Sequence, residues 1–478
     1  MTKRSALERV LEITDPGSFI EIGKDMVHRG SGFALNLVKK AGDGVVTGIG
    51  KVDGRVVAIY SQDSSFVGGS VGEIHGQKIL NILNFARENL CPVLGIVDSG
   101  GARIHEGVLS LGIYGEIFRK NVELSGLVPQ ITVVLGACAG GAVYSPALTD
   151  FVLASKDSFL FITGPDVVEA VTGRRVSKLE LGGPQVHEII SGVIDLVGED
   201  DSQTIFLTKA LLSYIPQNYS QIPRNLFVDD SPFRETPTLK VVAELPSNQP
   251  YDVKDVVKDL LDHSSFFEIK PNHGKSLVIG FGCLDGKVVG IVANQPLEVA
   301  GCLDVESSVK GARFVRFCNC FNIPILALVD VPGFLPGIDQ EEKGIIKHGS
   351  KLLFAFCELS VPRVTLILKK AYGGAYDVMN SKHVGANFVF ALPNSEIAVM
   401  GPEAASKIVF KSEIKNNPQK AEDLAKKYRD EIANVKMSLE YGFIDKIIDP
   451  LDSRKELINA FKLIKHSPRT CPLKNIPL

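Results

Sequence analysis

Two short stretches carry glycine pairs where a main chain can do chemistry: Cys138-Ala139-Gly140-Gly141-Ala142-Val143-Tyr144 and Ala371-Tyr372-Gly373-Gly374-Ala375-Tyr376-Asp377. Each follows an apolar, β-branched run, residues 131–135 or 364–368, and precedes residues able to begin a helix. The first N–H groups of a helix have no carbonyl partner within it and sit at the positive end of its dipole, so they can hold an anion. Glycine lets a ligand approach that backbone closely. A glycine pair after a strand also serves as a plain tight turn or a close contact between helix and sheet, and either pair alone leaves both readings open.

The two pairs occupy equivalent places in an internal repeat. Thr47-Gly48-Ile49-Gly50-Lys51-Val52-Asp53-Gly54-Arg55-Val56-Val57 returns as Ile279-Gly280-Phe281-Gly282-Cys283-Leu284-Asp285-Gly286-Lys287-Val288-Val289, 232 residues later. Val97-Asp98 and Val329-Asp330 keep that offset, the glycine pairs follow at 233, and Gly164-Pro165-Asp166 returns as Gly401-Pro402-Glu403 at 237. Order is kept and spacing drifts by loop-sized amounts, so one domain fold is written twice.

Other chemistry is less well supported. Gly68-Gly69-Ser70-Val71-Gly72 matches the GxSxG nucleophile elbow, but its counterpart, Ala300-Gly301-Cys302-Leu303-Asp304, has no serine, and no local feature supplies the Asp and His of a serine hydrolase. Gly48-Ile49-Gly50 with Gly54 misplaces the third glycine of a dinucleotide loop and is followed by a strand. Cys318 and Cys320 lack a second ligand pair and the nine histidines are scattered, so neither a metal site nor a catalytic His pair is indicated. The carboxylates nearest the glycine pairs are Asp150 and Asp377. Asp377 suits an acid–base role or simply the positive end of a helix. Two anion cradles with no evident side-chain base are what a site needs when a cofactor supplies the base.

The elements that would hold these groups alternate between strand and helix. Residues 45–61 alternate through glycine turns, 72–89 carry apolar side chains at helical spacing, and 93–97 form a short apolar strand. The second half repeats the unit at 288–293, 305–317 and 325–329. A helix is expected over 1–13, ended by the turn signal Asp15-Pro16-Gly17-Ser18. Residues 215–250 hold six prolines with little periodicity and read as the linker. The charged stretches 417–440 and 454–465 read as helices with solvated faces.

Composition sets limits. Fifty-two basic against 55 acidic side chains give a net charge of −3, so there is no global basic field to draw nucleic acid or an anionic membrane. Eight cysteines show no CxxC pair and no repeated spacing, and read as reduced core thiols. The apolar stretch 127–154 is broken by Pro129, Gly140-Gly141, Pro146 and Asp150, which suits a buried strand, turn and helix rather than a membrane span. A soluble cytoplasmic protein is expected, or a mature mitochondrial-matrix form.

Asp98-Ser99-Gly100-Gly101-Ala102-Arg103-Ile104, residues 138–148, 161–168 and 309–316, Val329-Asp330-Val331-Pro332-Gly333-Phe334 and residues 370–379 together resemble the acyl-CoA carboxylase carboxyltransferase family from about residue 5 to the last. The resemblance implies an α/β protein of two tandem crotonase-like (ClpP/crotonase) ββα-superhelix domains, 1–233 and 234–478, with sites formed between subunits of a homo-hexamer, a trimer of dimers. It implies transfer of a carboxyl group from carboxybiotin to the α-carbon of an acyl-CoA. Gly140 and Gly141 would then hold the thioester enolate, and Gly374 and Ala375 the ureido oxygen of biotin. Asp377 stands where the family selects acyl length, and Asp resembles the propionyl-type enzymes, which make methylmalonyl-CoA. Lys78, Arg103, Lys310 and Arg313 are candidate partners for CoA phosphates or ordinary solvated charges. No biotin-attachment motif and no four-cysteine zinc ribbon are present. Biotin is therefore expected on a biotin carboxylase or carboxyl-carrier partner, which would also use ATP and bicarbonate. Methylmalonyl-CoA decarboxylase and transcarboxylase chains share the pattern, and a scaffold without activity is the alternative outside enzymology.

Overall fold

Local sequence sets the strands through paired turns. In the computed structural model, which describes residues 4–29, 38–226 and 229–477, Asp53-Gly54 takes φ of +49° and +75° and Asp285-Gly286 takes +53° and +75°. Two consecutive left-handed residues make the tight turn whose twist matches a hairpin, which is why Asp-Gly recurs there. A carboxylate closes each turn from outside: Asp15 accepts from the N–H groups of Asp53 and Gly54, and Asp262 from those of Asp285 and Gly286.

The chain divides into two compact units, one reaching to Ile222 and taking in Pro468–Pro477, the other Pro223–Ser467. Among the described residues each unit is built on an eight-stranded sheet. The first contains β1 (Ile20–Glu21), β2 (Val45–Val52), β3 (Arg55–Gln62), β4 (Val93–Ser99), β5 (Gln130–Ala139), β6 (Phe151–Ser155), β7 (Phe159–Phe161) and β8 (Leu196–Gly198). The second contains β9 (Phe267–Ile269), β10 (Leu277–Leu284), β11 (Lys287–Asn294), β12 (Ile325–Val331), β13 (Arg363–Tyr372), β14 (Phe388–Ala391), β15 (Glu396–Ala398) and β16 (Lys446–Ile447). Their orders are β1-β2-β3-β4-β5-β6-β8, with β7 beside β5, and β9-β10-β11-β12-β13-β14-β16, with β15 beside β13. The duplication read from sequence is thus a duplication of topology.

The first two ladders of each sheet are antiparallel and the rest parallel. Parallel strands buried on both faces need continuous apolar sequence, and β4 and β12 are buried along their whole length. Helices Glu73–Asn89 and Val108–Leu124 serve the first unit, and Val305–Cys320 and Ile345–Glu358 the second. Ile79, Ile82, Leu83 and Ile117 join the first core, while Leu326, Leu328, Val364 and Leu366 join the second. No described helix is long and apolar enough to cross a membrane.

Several local expectations change in three dimensions. The N-terminal helix covers Ala6–Ile13 and is started by a Ser5–Glu8 capping box; residues 1–3 of the expected helix lie outside the described residues. The proline-rich stretch is not all linker: Pro237 opens the helix Pro237–Glu244, and Leu239 and Val242 enter the second core. Arg454, expected on a solvated face, is fully buried, donating to the Leu260 carbonyl at 2.7 Å and to Asp262 at 2.5 Å. Cys357 and Cys471 are exposed rather than core thiols. Residues 468–477 complete the first unit: Asn475 donates to Asp150 Oδ1 at 2.8 Å, and Lys474 reaches the Val122 and Glu123 carbonyls at the end of a helix.

Candidate active site

Both glycine pairs lie where a central parallel strand ends. β5 runs into a single 3₁₀ turn, Gly140–Val143, and then the helix Tyr144–Leu148; β13 runs directly into the helix Gly373–Val378. Gly140 and Gly373 take φ of +58° and +59°, the left-handed value that reverses the chain between strand and helix and that glycine adopts without strain. Gly140 therefore corresponds to Gly373, and Gly141-Ala142 to Gly374-Ala375. The pairs singled out from sequence, Gly140-Gly141 and Gly374-Ala375, are offset by one residue between the halves. All lie in a first helical turn, where N–H groups have no partner four residues back.

The surroundings differ. A Cβ on Gly141 would rest 3.6 Å from the Tyr114 ring, whereas one on Gly374 would meet nothing within 4 Å. Gly374 opens into a cavity of about 620 Å³ with Tyr376, Asp377, His383, Val399 and Phe443 in its wall. Asp377 accepts from the Ser381 hydroxyl at 3.0 Å, which fixes its carboxylate at the edge of an otherwise mostly apolar space. Tyr376, His383 and Phe443 pack as a ring cluster beside it.

Behind the second loop is a network that residue spacing does not reveal. The Tyr372 hydroxyl donates to Glu396 Oε2 at 2.5 Å, Arg429 donates to Glu396 Oε1 at 3.1 Å, and the same guanidinium reaches Glu403 at 2.6 Å. Burial and the neighbouring Glu396 push the Tyr372 phenol well above its ordinary range, so it stays a donor and fixes the residue before Gly373. These partners come from separate elements, and only the fold joins them.

Lys78 and Lys310 occupy equivalent positions, 232 residues apart. Both are buried with their ammonium groups turned inward: Lys78 donates to the Gly42 and Val45 carbonyls, and Lys310 to the Lys270 and His273 carbonyls. Burial lowers their pKa values to about 8 and about 7. Each lysine ties its helix to the loop before a hairpin. Arg103 is also fully buried; it donates to Asp43 Oδ1 at 2.7 Å, to Glu106 Oε1 at 2.9 Å and to the Ser70 carbonyl at 3.0 Å. Arg313 is half-buried on Val305–Cys320. Asp150 accepts from the Gln130 N–H and from Asn475, a structural arrangement. Ser70 of the GxSxG match donates to the Val67 carbonyl at 2.7 Å, not to a histidine.

His75 adds a pH-sensitive element beside Arg103. Its ring lies between the Asp43 carbonyl, 3.0 Å from Nδ1, and the Gln62 amide, 3.2 Å from Nε2, so the neutral ring with hydrogen on Nδ1 satisfies both. Burial holds its pKa down to about 3, against 6.5 for an exposed ring. Between those values the unfolded chain binds a proton at this ring that the folded chain does not, so the contribution of His75 to stability falls as pH drops below 6.5. Urea unfolding should show a loss of about 1 kcal/mol per pH unit in that window, and His75→Gln should flatten it.

The carboxyl transferase domain model matches residues 1–476, and the chain belongs to that family. It is 48% identical over 483 residues to the propionyl-CoA carboxylase carboxyltransferase subunit of Haloferax mediterranei, covering 100% of this chain and 94% of the relative. It is 44% identical to the methylmalonyl-CoA decarboxylase subunit alpha of Veillonella parvula, covering 100% and 93%. Among solved structures it superposes on a chain of transcarboxylase 12S, whose structure describes a hexamer assembly with methylmalonyl-coenzyme A and methylmalonic acid bound, with a TM-score of 0.95 at 42% identity, covering 99% of this chain and 91% of that one. The two units are tandem crotonase-like domains.

Proposed function

We propose that this chain is the carboxyltransferase component, or β chain, of a propionyl-CoA carboxylase, moving a carboxyl group from biotin on a partner subunit to the α-carbon of propionyl-CoA. The observation that carries this reading is the pair of equivalent left-handed glycines, Gly140 and Gly373, each ending a central strand and opening a helix. Backbone donors of that kind suit oxygen atoms that gain charge during a reaction, because they are fixed before the charge forms.

The residues fit the groups the family handles. Gly374 faces open space and admits a flat polar ring edge against its backbone, which a side chain there would obstruct. When bound, biotin supplies the carboxyl group and, once relieved of it, the base for the α-proton. The chain supplies the rest: N–H groups of Gly140 and Gly141 stabilise the thioester oxygen as the α-carbon loses its proton, while those of Gly374 and Ala375 hold the ureido oxygen. Asp377 bounds the acyl end of the pocket. The inward-facing ammonium groups of Lys78 and Lys310 and the paired guanidinium of Arg103 support structural roles for these three rather than contact with a CoA phosphate.

The same proposal takes 1–233 and 234–478 as the N- and C-terminal carboxyltransferase domains. It takes the working form as a cytoplasmic homo-hexamer, a trimer of dimers with sites shared between subunits. A biotin carboxylase or carboxyl-carrier chain would use ATP and bicarbonate. Exposed apolar residues beside the two loops, Ile162 next to Gly140 and Val399 next to Gly373, suit burial against another copy.

The test is biotin-dependent loss of the carboxyl group from methylmalonyl-CoA by the purified assembly with free biotin as acceptor. Turnover that needs biotin supports the reading; none overturns it. Asp377→Ile should change the ratio of kcat/KM for propionyl-CoA over acetyl-CoA by about tenfold, equivalent to about 1.4 kcal/mol. An unchanged ratio would remove Asp377 from acyl selection. Copurification with a biotin carboxylase chain supports the carboxylase direction, and with a membrane pump the decarboxylase direction.

A further inference from the structure

Both halves carry a buried carboxylate one strand away from the glycine loop. Asp98 and Asp330 lie 232 residues apart in sequence and are each 1% exposed. Each interrupts the ladder between two central strands. β4 pairs with β5 at Val97–Val134 and again at Ser99–Cys138, so two steps on one strand face four on the other; β12 and β13 do the same between Val329–Ile367 and Val331–Ala371.

The extra residues form a bulge, and a bulge redirects a strand. Here β5 leaves its partner β6 after Val134 and takes up β7 from Ala137, while β13 leaves β14 after Ile367 and takes up β15 from Lys370. Inside the bulge, Asp98 Oδ1 accepts from the Ala137 N–H at 3.2 Å, and Asp330 Oδ1 accepts from the Lys370 N–H at 3.2 Å. Three residues later come Gly140 and Gly373, with φ of +58° and +59°. The carboxylate also fills space at the bend: a Cβ on Gly136 would lie 2.2 Å from Asp98 Oδ1.

A simple ion-pair role does not explain the repetition. Asp98 pairs with Arg9 at 3.2 Å and accepts from Ser64 at 2.9 Å, whereas Asp330 has the Lys370 ammonium 3.8 Å away. The charged neighbours differ between halves; the main-chain N–H in the bulge is common to both.

We propose that Asp98 and Asp330 are positioning residues that set the aim of the two glycine loops by holding the strand bulge before each one. The catalytic consequence rests on the carboxyl-transfer reading; the geometric one does not. Position 330 gives the cleaner test. Asp330→Asn keeps an oxygen for the Lys370 N–H, whereas Asp98→Asn would also strip the Arg9 guanidinium of its buried anion.

In the assembled full-length protein, Asp330→Ala should lower kcat for biotin-dependent methylmalonyl-CoA turnover by about 100-fold, the usual scale for misplaced reacting groups. KM should stay within about threefold, and Asp330→Asn should keep kcat within about fivefold of wild type, since the carboxamide oxygen accepts the same N–H. A role in stability alone would lower the melting temperature without this kcat–KM split or the Asn rescue. Retention of kcat by Asp330→Ala would overturn the proposal. So would its crystal structure if Gly373–Ala375 stayed in the wild-type position. That crystallographic comparison decides the geometry even if wild type shows no biotin-dependent turnover, a result that would overturn the functional reading alone.

Discussion

Ala375→Pro is expected to reduce carboxyl transfer by about 10²- to 10³-fold, a loss of roughly 3 to 4 kcal/mol of transition-state stabilisation, by deleting one backbone donor. Ala375 is the third residue of the helix Gly373–Val378, within the first turn, where its N–H has no intrahelical partner. Proline is tolerated in a first turn for that reason, so the substitution removes a donor without removing a helical hydrogen bond. Ala375 is fully buried, so the added ring should also lower the melting temperature by a few degrees, while circular dichroism keeps the wild-type shape and kcat falls far more than that packing cost explains. A variant with normal fold and full turnover would show that this N–H takes no part.

Arg103→Leu should destabilise the first unit by about 3 to 5 kcal/mol, the range for removing one partner of a buried ion pair. Both carboxylates it leaves behind are buried: Asp43 is fully enclosed, and Glu106 is 8% exposed. Burial already raises the Asp43 pKa against the pull of Arg103, so loss of the guanidinium should raise it further. Activity should fall as well, because Gly101 and Ala102 precede Arg103 directly and a Cβ on Gly101 would lie 2.7 Å from the Ala139 carbonyl. Denaturant midpoints with an unchanged slope would measure the loss; a midpoint equal to wild type would show that the network relaxes around the missing charge.

The repeat was legible because glycine and aspartate at turns are local requirements. Asp53-Gly54 and Asp285-Gly286 announce the same hairpin, and the order of strands follows once the halves are aligned. The glycine loops were legible for the same reason, although the one-residue offset between Gly140-Gly141 and Gly374-Ala375 emerges only when backbone angles are compared. Charge was the poorest guide. Lys78, Lys310, Arg103 and Arg454 look in sequence like surface groups, yet each is buried where loop carbonyls or carboxylates converge from distant segments. Residue type gives the sign of a charge; only tertiary packing shows whether its partner is water, main chain or ligand. Pro237 illustrates the same limit, since proline in a loop and proline at the start of a helix are identical in composition.

The return of residues 468–477 to the first unit has a consequence for biosynthesis. Asn475 and Lys474 supply bonds to Asp150, Ser125, Val122 and Glu123. A nascent polypeptide therefore cannot complete its earlier half until the ribosome has passed codon 475. Premature termination a few codons upstream should injure the half translated first, and a clone ending at Ile222 should express poorly unless the missing decapeptide is supplied in trans.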